Sequence, residues 1–251
     1  MNKTISMPVD VATVKTPWQA WMMLPARTLL FAAFQAIFAL VYFLGGSAHA
    51  WDDSSAWWPF SVTLTNVVCI LLLIPLFRSE GKSYLNLFRI DREHIKNDLV
   101  AVLVVLVITI PVAMLPDILL ANWLFGDIKV AMGLFIHHLP AWATLSGFIL
   151  FPVTQGMAEL VTYFLYIEPH LEDQLKVRWL ALSIAAIALG IQHIAVPLLF
   201  NAPFIIWRAL MFIPFAFLLG ITLRWRPRLL IYLAIIHMLM DMGTAAMLFT
   251  V

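Results

Sequence analysis

The sequence predicts an all-α protein, a polytopic bundle of transmembrane helices. Of the 251 residues, 63% are hydrophobic and only 12% are charged, whereas soluble domains are about 45–50% apolar and about 25% charged. The mean hydropathy is +0.95, and the apolar residues form long continuous runs, which is typical of membrane-spanning helices. Nothing in the sequence marks a second domain, so residues 1–251 are predicted to form a single integral membrane domain.

About seven segments meet the requirement of about 20 mostly apolar residues for a helix that crosses a bilayer. The third segment is long and contains Pro111 and Pro116, which predicts a kink or a break. The predicted spans cover residues 27–46, 60–77, 97–124, 141–167, 179–200, 204–223 and 229–250.

The positions of the basic residues predict the orientation. Of the 15 lysines and arginines, all except Lys129 and Arg208 fall in the N-terminal tail or in the loops after spans two, four and six. The tail contributes Lys3, Lys15 and Arg27. Because basic loops stay in the cytoplasm, the N-terminus is predicted to be cytoplasmic and, with seven spans, the C-terminus to lie outside.

Net charge, cysteine count and the N-terminal tail indicate which partners and which location to expect. The net charge of +1 gives no reason to expect a nucleic acid as partner, and the lipid bilayer is the predicted surroundings. A single cysteine, Cys69, excludes an internal disulfide. The tail has no apolar core directly after its basic residues, so no cleavable signal peptide is expected. The predicted location is integral to a membrane, the plasma membrane if the source is bacterial.

Four titratable side chains lie deep within predicted spans, where a charged residue costs about 2.5–3.5 kcal/mol. His237 and Asp241 are four residues apart, so they lie on one helix face, about 6 Å apart along the axis. Counted from the cytoplasmic ends of their spans, all four lie at similar depth. Spans four, five and seven are therefore expected to bring them into one water-containing cluster, made of Glu159, His193, His237 and Asp241.

This set of side chains is compatible with three kinds of function. Imidazole nitrogen and carboxylate oxygen bind transition metals, and a carboxylate also acts as general base on a water, so both routes indicate hydrolysis. A polar network that only holds helices together, at about 0.6 kcal/mol per bond, is a second interpretation. An ion-coupled carrier with a proton relay is a third, although the sequence does not divide into two halves with corresponding segments, as many carriers do.

Three segments resemble the motifs of the CPBP family of intramembrane proteases, which includes the CAAX prenyl endopeptidases and many Abi-type bacterial proteins. The first family motif, EExxxR, commonly continues as GYLLPRLE, and here Glu159, Tyr166 and Pro169 fall on its first Glu, its Tyr and its Pro. The second motif is FxxxH and the third is HxxxN or HxxxD. The matching segments are ELVTYFLYIEPHLE (159–172), LGIQH (189–193) and HMLMD (237–241), all within residues 140–251.

The resemblance implies an intramembrane endopeptidase that hydrolyses a peptide bond of a membrane-associated substrate, prenylated in some relatives. Glu159 and His193 would activate the hydrolytic water, directly or through a divalent metal that is usually taken as zinc. The metal ligands would be Glu159, His193 and His237. His237 and Asp241 would complete the catalytic site, either as further ligands or as the pair that stabilises the oxyanion.

The first motif departs from the family pattern at two positions, since Leu160 replaces the second Glu and Phe164 replaces the Arg. Their joint loss removes two charges and leaves neither unpaired, which a stable fold tolerates. The alternative function is therefore a non-catalytic CPBP-like membrane protein, regulatory or similar to a bacteriocin-immunity protein. An ion-coupled carrier is the third candidate.

Four further polar residues are lesser candidates. Gln155 and Tyr163 lie four residues before and after Glu159, on the same helix face, and are in reach of its carboxylate. Asp117 is predicted to mark a helix break near the outer interface, outside the site. Arg208 is predicted to extend its charged end towards the membrane surface.

Overall fold

The computed structural model describes residues 18–250 and confirms the all-α class. Over these residues the chain forms α-helices joined by short 3₁₀ turns, and no β-strand is present in them. The first helices are α1 (Gln19–Leu44), α2 (Ala50–Ser54), α3 (Trp58–Ser79), α4 (Ile95–Phe125), α5 (Ile128–Gly133) and α6 (Ala141–Leu160). They are followed by α7 (Glu168–Leu175), α8 (Arg178–Gln192), α9 (Ala202–Leu210), α10 (Ile213–Trp225) and α11 (Leu230–Ala246).

Most of these helices join into segments that are long and apolar enough to cross a membrane, as expected of an integral membrane protein. Such segments within the described residues are Gln19–Leu44, Ala50–Ser79, Ile95–Phe125, Ala141–Leu175, Ala202–Trp225 and Pro227–Phe249. The basic tail residues Lys3 and Lys15, and the tail considered for a signal peptide, lie outside the described residues. The cytoplasmic orientation of the N-terminus stays a prediction.

The fifth predicted span, 179–200, is helical only in its first part. Helix α8 has 15 residues, about 22 Å of length, which is less than the hydrocarbon core of about 30 Å. After Gln192 the backbone N–H groups of His193 to Val196 bond to carbonyls three residues earlier, and Pro197, which follows, has no N–H to resume the helical pattern. At one end Arg224 donates to the Arg178 carbonyl, and at the other Trp51 donates to the Leu198 carbonyl. Residues 179–200 therefore run between the two ends of the bundle, and only their first part is helical. The number of spans stays a prediction.

Two other predicted spans differ in their helical structure. Pro111 and Pro116 both lie inside the continuous helix α4, so the predicted break is absent. The fourth span continues from α6 through a π-helical turn, Val161–Ile167, into α7 and ends at Leu175. Such π-turns insert an extra residue into the helical repeat and often occur at functional sites. This one begins two residues after Glu159.

Candidate active site

The four predicted site residues converge on one point between α6, α8 and α11. His237 Nε2 lies 3.6 Å from Glu159 Oε1 and 3.5 Å from Asp241 Oδ2. His193 Nε2 lies 3.9 Å from the other oxygen of Glu159, Oε2. Glu159 is only 2% exposed, so the carboxylate is enclosed by these groups rather than by lipid or bulk water.

Two glycines allow the helices that carry these residues to pack closely. A Cβ on Gly156 of α6 would lie 2.6 Å from Met238 Cγ and 2.8 Å from the Ala234 carbonyl oxygen, both on α11. A Cβ on Gly190 of α8 would lie 2.5 Å from Ile213 Cγ1 at the start of α10. Because no side chain separates these surfaces, α11 comes within reach of the carboxylate on α6.

One oxygen of Glu159 is surrounded by hydrogen-bond donors. Gln155 Nε2 and Gln192 Nε2 each donate to Oε2 at 2.6 Å. The Arg27 guanidinium of α1 lies 3.7 Å from the same oxygen through Nη2. All of these groups place N–H donors or positive charge beside this oxygen. Oxygen Oε2 is therefore occupied by hydrogen bonds from the protein, and Oε1 is the oxygen that faces His237.

Backbone contacts determine which nitrogen of His193 faces the site. Its Nδ1 lies 2.9 Å from the Leu189 carbonyl oxygen, and because a carbonyl only accepts, Nδ1 must donate. The other nitrogen, Nε2, then faces Glu159 and accepts hydrogen bonds when the ring is neutral. The ring stacks on Phe212 with centroids 3.9 Å apart, which holds it in one plane.

The surroundings of His237 favour a proton on Nε2, whereas His193 carries its proton on Nδ1. Its Nε2 lies between the carboxylate oxygens of Glu159 and Asp241 at 3.6 and 3.5 Å, where a lone pair would be repelled by both. Its Nδ1 has no hydrogen-bond partner among the described residues. His237 is thus arranged as a donor through Nε2, whereas His193 is arranged as an acceptor through Nε2.

The four residues line a cavity of about 240 Å³ inside the bundle. Because one water needs about 10–15 Å³ by this measure, the cavity has room for water together with part of a larger molecule. Asp117 and Arg208 line it too, so both predictions that placed them outside the site are wrong. Arg208 is 6% exposed and donates to the Val196 carbonyl at 2.9 Å instead of extending to the membrane surface.

Arg208 compensates for the irregular backbone that follows α8. Besides Val196, it donates weakly to the His193 carbonyl, with Nε at 3.4 Å. Asp117 accepts a hydrogen bond of 2.9 Å from Trp207 Nε1, which places an acid near this cation. The guanidinium therefore stabilises the Val196 carbonyl and adds a weak contact to the His193 carbonyl, which also accepts from the Val196 N–H at 3.1 Å.

Sequence reasoning missed two members of the polar cluster, Arg27 and Gln192. Arg27 was counted as a flanking residue because the predicted first span begins there, but α1 begins at Gln19 and Arg27 is two turns inside it. The signal available was the apolar run before Arg27, which α1 includes together with Pro25. Gln192 precedes His193 directly and was visible as a polar residue in an apolar span. Tyr163 donates to Gln192 Oε1 at 3.2 Å rather than to Glu159.

The two residues that depart from the first motif are part of the hydrophobic core. Leu160 is fully buried and Phe164 is 3% exposed, and both belong to the larger apolar cluster. A Cβ on Gly220 of α10 would lie 2.6 Å from Phe164 Cε1, so the phenyl ring fills space that this glycine leaves open. The structure thus packs apolar side chains where the family motif places two charges.

The donor atoms match a divalent metal in chemical type but not in placement. Bonds of about 2.0–2.2 Å to zinc put tetrahedral ligands about 3.3–3.5 Å apart, whereas Glu159 Oε2 and His193 Nε2 are 3.9 Å apart. The two imidazoles face different oxygens of Glu159, and Oε2 already accepts two amide donors. Among residues 18–250 no group of three or more His, Cys, Asp or Glu side chains is arranged to hold a metal ion. Zinc binding stays a prediction.

The fold and the site together define a class, an integral membrane helix bundle with a buried carboxylate–imidazole cluster. No family model, curated protein or solved structure matches the chain. The resemblance to CPBP proteases therefore rests on the three sequence motifs alone.

Proposed function

We infer that the protein is an intramembrane endopeptidase of the CPBP type, which hydrolyses a peptide bond of a membrane-associated protein or peptide. The observation that carries this proposal is the convergence of Glu159, His193, His237 and Asp241 in one buried cavity. Three motif-like segments meet there, and they bring together a carboxylate and imidazoles, groups that can activate water for hydrolysis.

In the proposed reaction Glu159 is the general base. A water in the cavity donates one hydrogen bond to Glu159 Oε1 and the other to His193 Nε2. Its oxygen attacks the peptide carbonyl carbon while its proton passes to Oε1. Collapse of the tetrahedral intermediate breaks the C–N bond, and the same proton passes from Glu159 to the leaving nitrogen. Water is the only co-reactant, and the products are an acid and an amine.

The developing negative charge on the substrate oxygen needs a donor. His237 is placed for this role, because its Nε2 carries the proton and lies beside the attacked position next to Oε1. Asp241 Oδ2 lies 3.5 Å from the same nitrogen, which is longer than a hydrogen bond, so the N–H is left for the substrate oxygen. Such a preorganised donor acts strongly in a site with little water.

A non-catalytic CPBP-like protein is the second candidate. The observation that favours it is the apolar packing of Leu160 and Phe164 against α10, where the family motif has charges. Such a protein would bind a membrane partner through the same cavity without hydrolysing it.

A cleavage assay separates the two candidates. Purified protein in liposomes is incubated with a prenylated peptide and, separately, with apolar transmembrane peptides, and products are identified by mass spectrometry. Glu159→Gln keeps the size of the side chain but removes the base, so cleavage should fall by about 10²–10⁴-fold. Asp52→Asn, a change of acid to amide outside the cavity, serves as the matched control. Equal product from wild type and Glu159→Gln rules out the proposed role of Glu159.

A further inference from the structure

The connection between Arg27 and Glu159 runs through two glutamine side chains. Arg27 Nε donates to Gln192 Oε1 at 2.7 Å, and Arg27 Nη2 donates to Gln155 Oε1 at 2.9 Å. Each glutamine then donates from its own Nε2 to Glu159 Oε2. One guanidinium from α1 is thus linked twice to one carboxylate on α6.

The chemistry of arginine decides the direction of this network. A guanidinium has only donors and no acceptor, so both glutamine oxygens must face Arg27. Each amide NH₂ group must then face away from Arg27 and towards Glu159. If Arg27 were absent, either amide would be free to turn its oxygen to Glu159 and repel the carboxylate.

Burial makes the arrangement rigid and sensitive to loss of one member. Arg27 and Gln192 are fully buried, Glu159 is 2% exposed and Gln155 is 5% exposed. A buried charge that loses its partner is strongly destabilising, whereas removal of both charges is tolerated. Arg27 does not line the cavity, to which α1 contributes Phe31 instead, so a molecule in the cavity does not touch the guanidinium.

We propose that Arg27 is a positioning residue of this site: by orienting Gln155 and Gln192 it directs both amide donors to Glu159 Oε2 and leaves Oε1 free. This rests on the proposed function for its catalytic consequence, but not for its effect on Glu159. It also supplies, from another helix, a cation beside Glu159 in a chain whose first motif has Phe164 at the position of the family's Arg.

The first test needs no substrate. Infrared difference spectra between each protein and its Glu159→Gln variant isolate the signal of the Glu159 carboxyl group. In the otherwise unchanged protein this signal should be that of a carboxyl group with two amide donors on one oxygen. In Arg27→Met its frequency should shift, because Arg27 no longer holds the two NH₂ groups towards Oε2. An unchanged Glu159 signal in Arg27→Met overturns the proposal.

A thermal unfolding cycle in detergent covers the case in which Arg27→Met folds poorly. The double variant Arg27→Met/Glu159→Gln should have a higher Tm than Arg27→Met alone, because neither charge is then unpaired. Asn66→Leu is the control, since Asn66 is a buried α3 residue whose amide donates to Thr154 of α6 and does not line the cavity. Adding Glu159→Gln to Asn66→Leu should not restore its Tm. Equal recovery in both backgrounds contradicts a specific link between Arg27 and Glu159.

The third test uses activity. Arg27→Met should lower kcat by about 10²-fold through misplacement of the base and leave KM unchanged, because substrate does not contact Arg27. Arg27→Lys should rescue only in part, since an ammonium group lacks the planar fork that reaches both amides. A rise in KM with unchanged kcat overturns the assignment as a positioning residue. If wild type itself cleaves nothing, the proposed function fails, while the infrared and unfolding tests still decide the role of Arg27.

Discussion

His237 Nε2 lies 3.6 Å from Glu159 Oε1, although the two residues belong to different motifs on α11 and α6. Asp241 lies on the other side of the same nitrogen at 3.5 Å. This contact joins the first and last motifs of the chain directly, and it defines which oxygen of Glu159 is available for chemistry.

The role of His237 as an N–H donor predicts a graded loss of activity. His237→Leu should lower kcat by about 10²–10³-fold, the effect of removing one oxyanion donor. Asp241→Asn should cost less, because it leaves that N–H in place. Initial rates in the liposome assay measure both changes, with Asp52→Asn as control. A larger loss from Asp241→Asn than from His237→Leu contradicts the assignment and makes Asp241 the more important group.

The close approach at Gly156 predicts a steric effect on both stability and activity. Gly156→Ala puts a Cβ 2.8 Å from the Ala234 carbonyl oxygen, so α6 and α11 must separate, at a cost of about 1–3 kcal/mol. Cleavage should fall as well, because His237 moves away from Glu159. The matched control is Gly243→Ala on α11, where a Cβ meets nothing within 4 Å.

Thermal unfolding in detergent measures the first effect and the liposome assay the second. Gly243→Ala should leave both unchanged or raise Tm slightly, since alanine is the better helix former by about 1 kcal/mol. Equal behaviour of the two variants indicates that α6 and α11 are not packed as closely as the structure has them.

The contacts of Arg208 predict that its loss disturbs His193 from a distance. Arg208→Met leaves the Val196 carbonyl without its donor, at about 1.5–3 kcal/mol for a hydrogen bond to a charged group, and removes the weaker contact to the His193 carbonyl. The backbone after α8 should loosen, which lowers Tm and kcat together. Arg208→Lys should restore neither fully, because a single ammonium does not reproduce the fork. A variant with normal Tm and normal kcat rules out this support of His193.

The hydrogen bonds to Glu159 Oε2 predict that removal of metal ions does not affect cleavage. Because Oε2 of Glu159 is occupied by two amides and lies near the Arg27 cation, we expect the base to act without a metal. Dialysis against a strong chelator should leave the cleavage rate unchanged, and the purified protein should contain less than one equivalent of zinc by mass spectrometry. Loss of cleavage on chelation, restored by zinc, establishes the metal route with Glu159, His193 and His237 as ligands.

Much of the site could be predicted because charges are so rare in this sequence. In an apolar span each titratable side chain stands out, and the cost of burial predicts that Glu159, His193, His237 and Asp241 share one environment. Their convergence followed from depth and from spacing on helices, both of which the sequence encodes. The all-α membrane class followed from composition in the same way.

The remaining features depend on tertiary contacts that no local pattern encodes. Arg27 was assigned to the N-terminal tail, since basic residues there predict the orientation, and only its hydrogen bonds to Gln155 of α6 and Gln192 of α8 reveal its partners. Arg208 stands at the start of the sixth predicted span, where a long cationic side chain is expected to reach the membrane surface. That it bonds to the Val196 carbonyl instead was not visible in the sequence.

The link between Arg27 and the amides has a consequence for the biogenesis of the protein. Arg27 enters the membrane with the first helix, whereas its partners Gln155 and Gln192 are synthesised much later. Until they arrive, the inserted chain holds an arginine without its native contacts, at about 2.5–3.5 kcal/mol on the insertion scale. His237 and Asp241 follow later still, on α11. The nascent protein therefore has no complete site until α11 is in the membrane, and a fragment that begins at residue 140 would lack the cation that organises it.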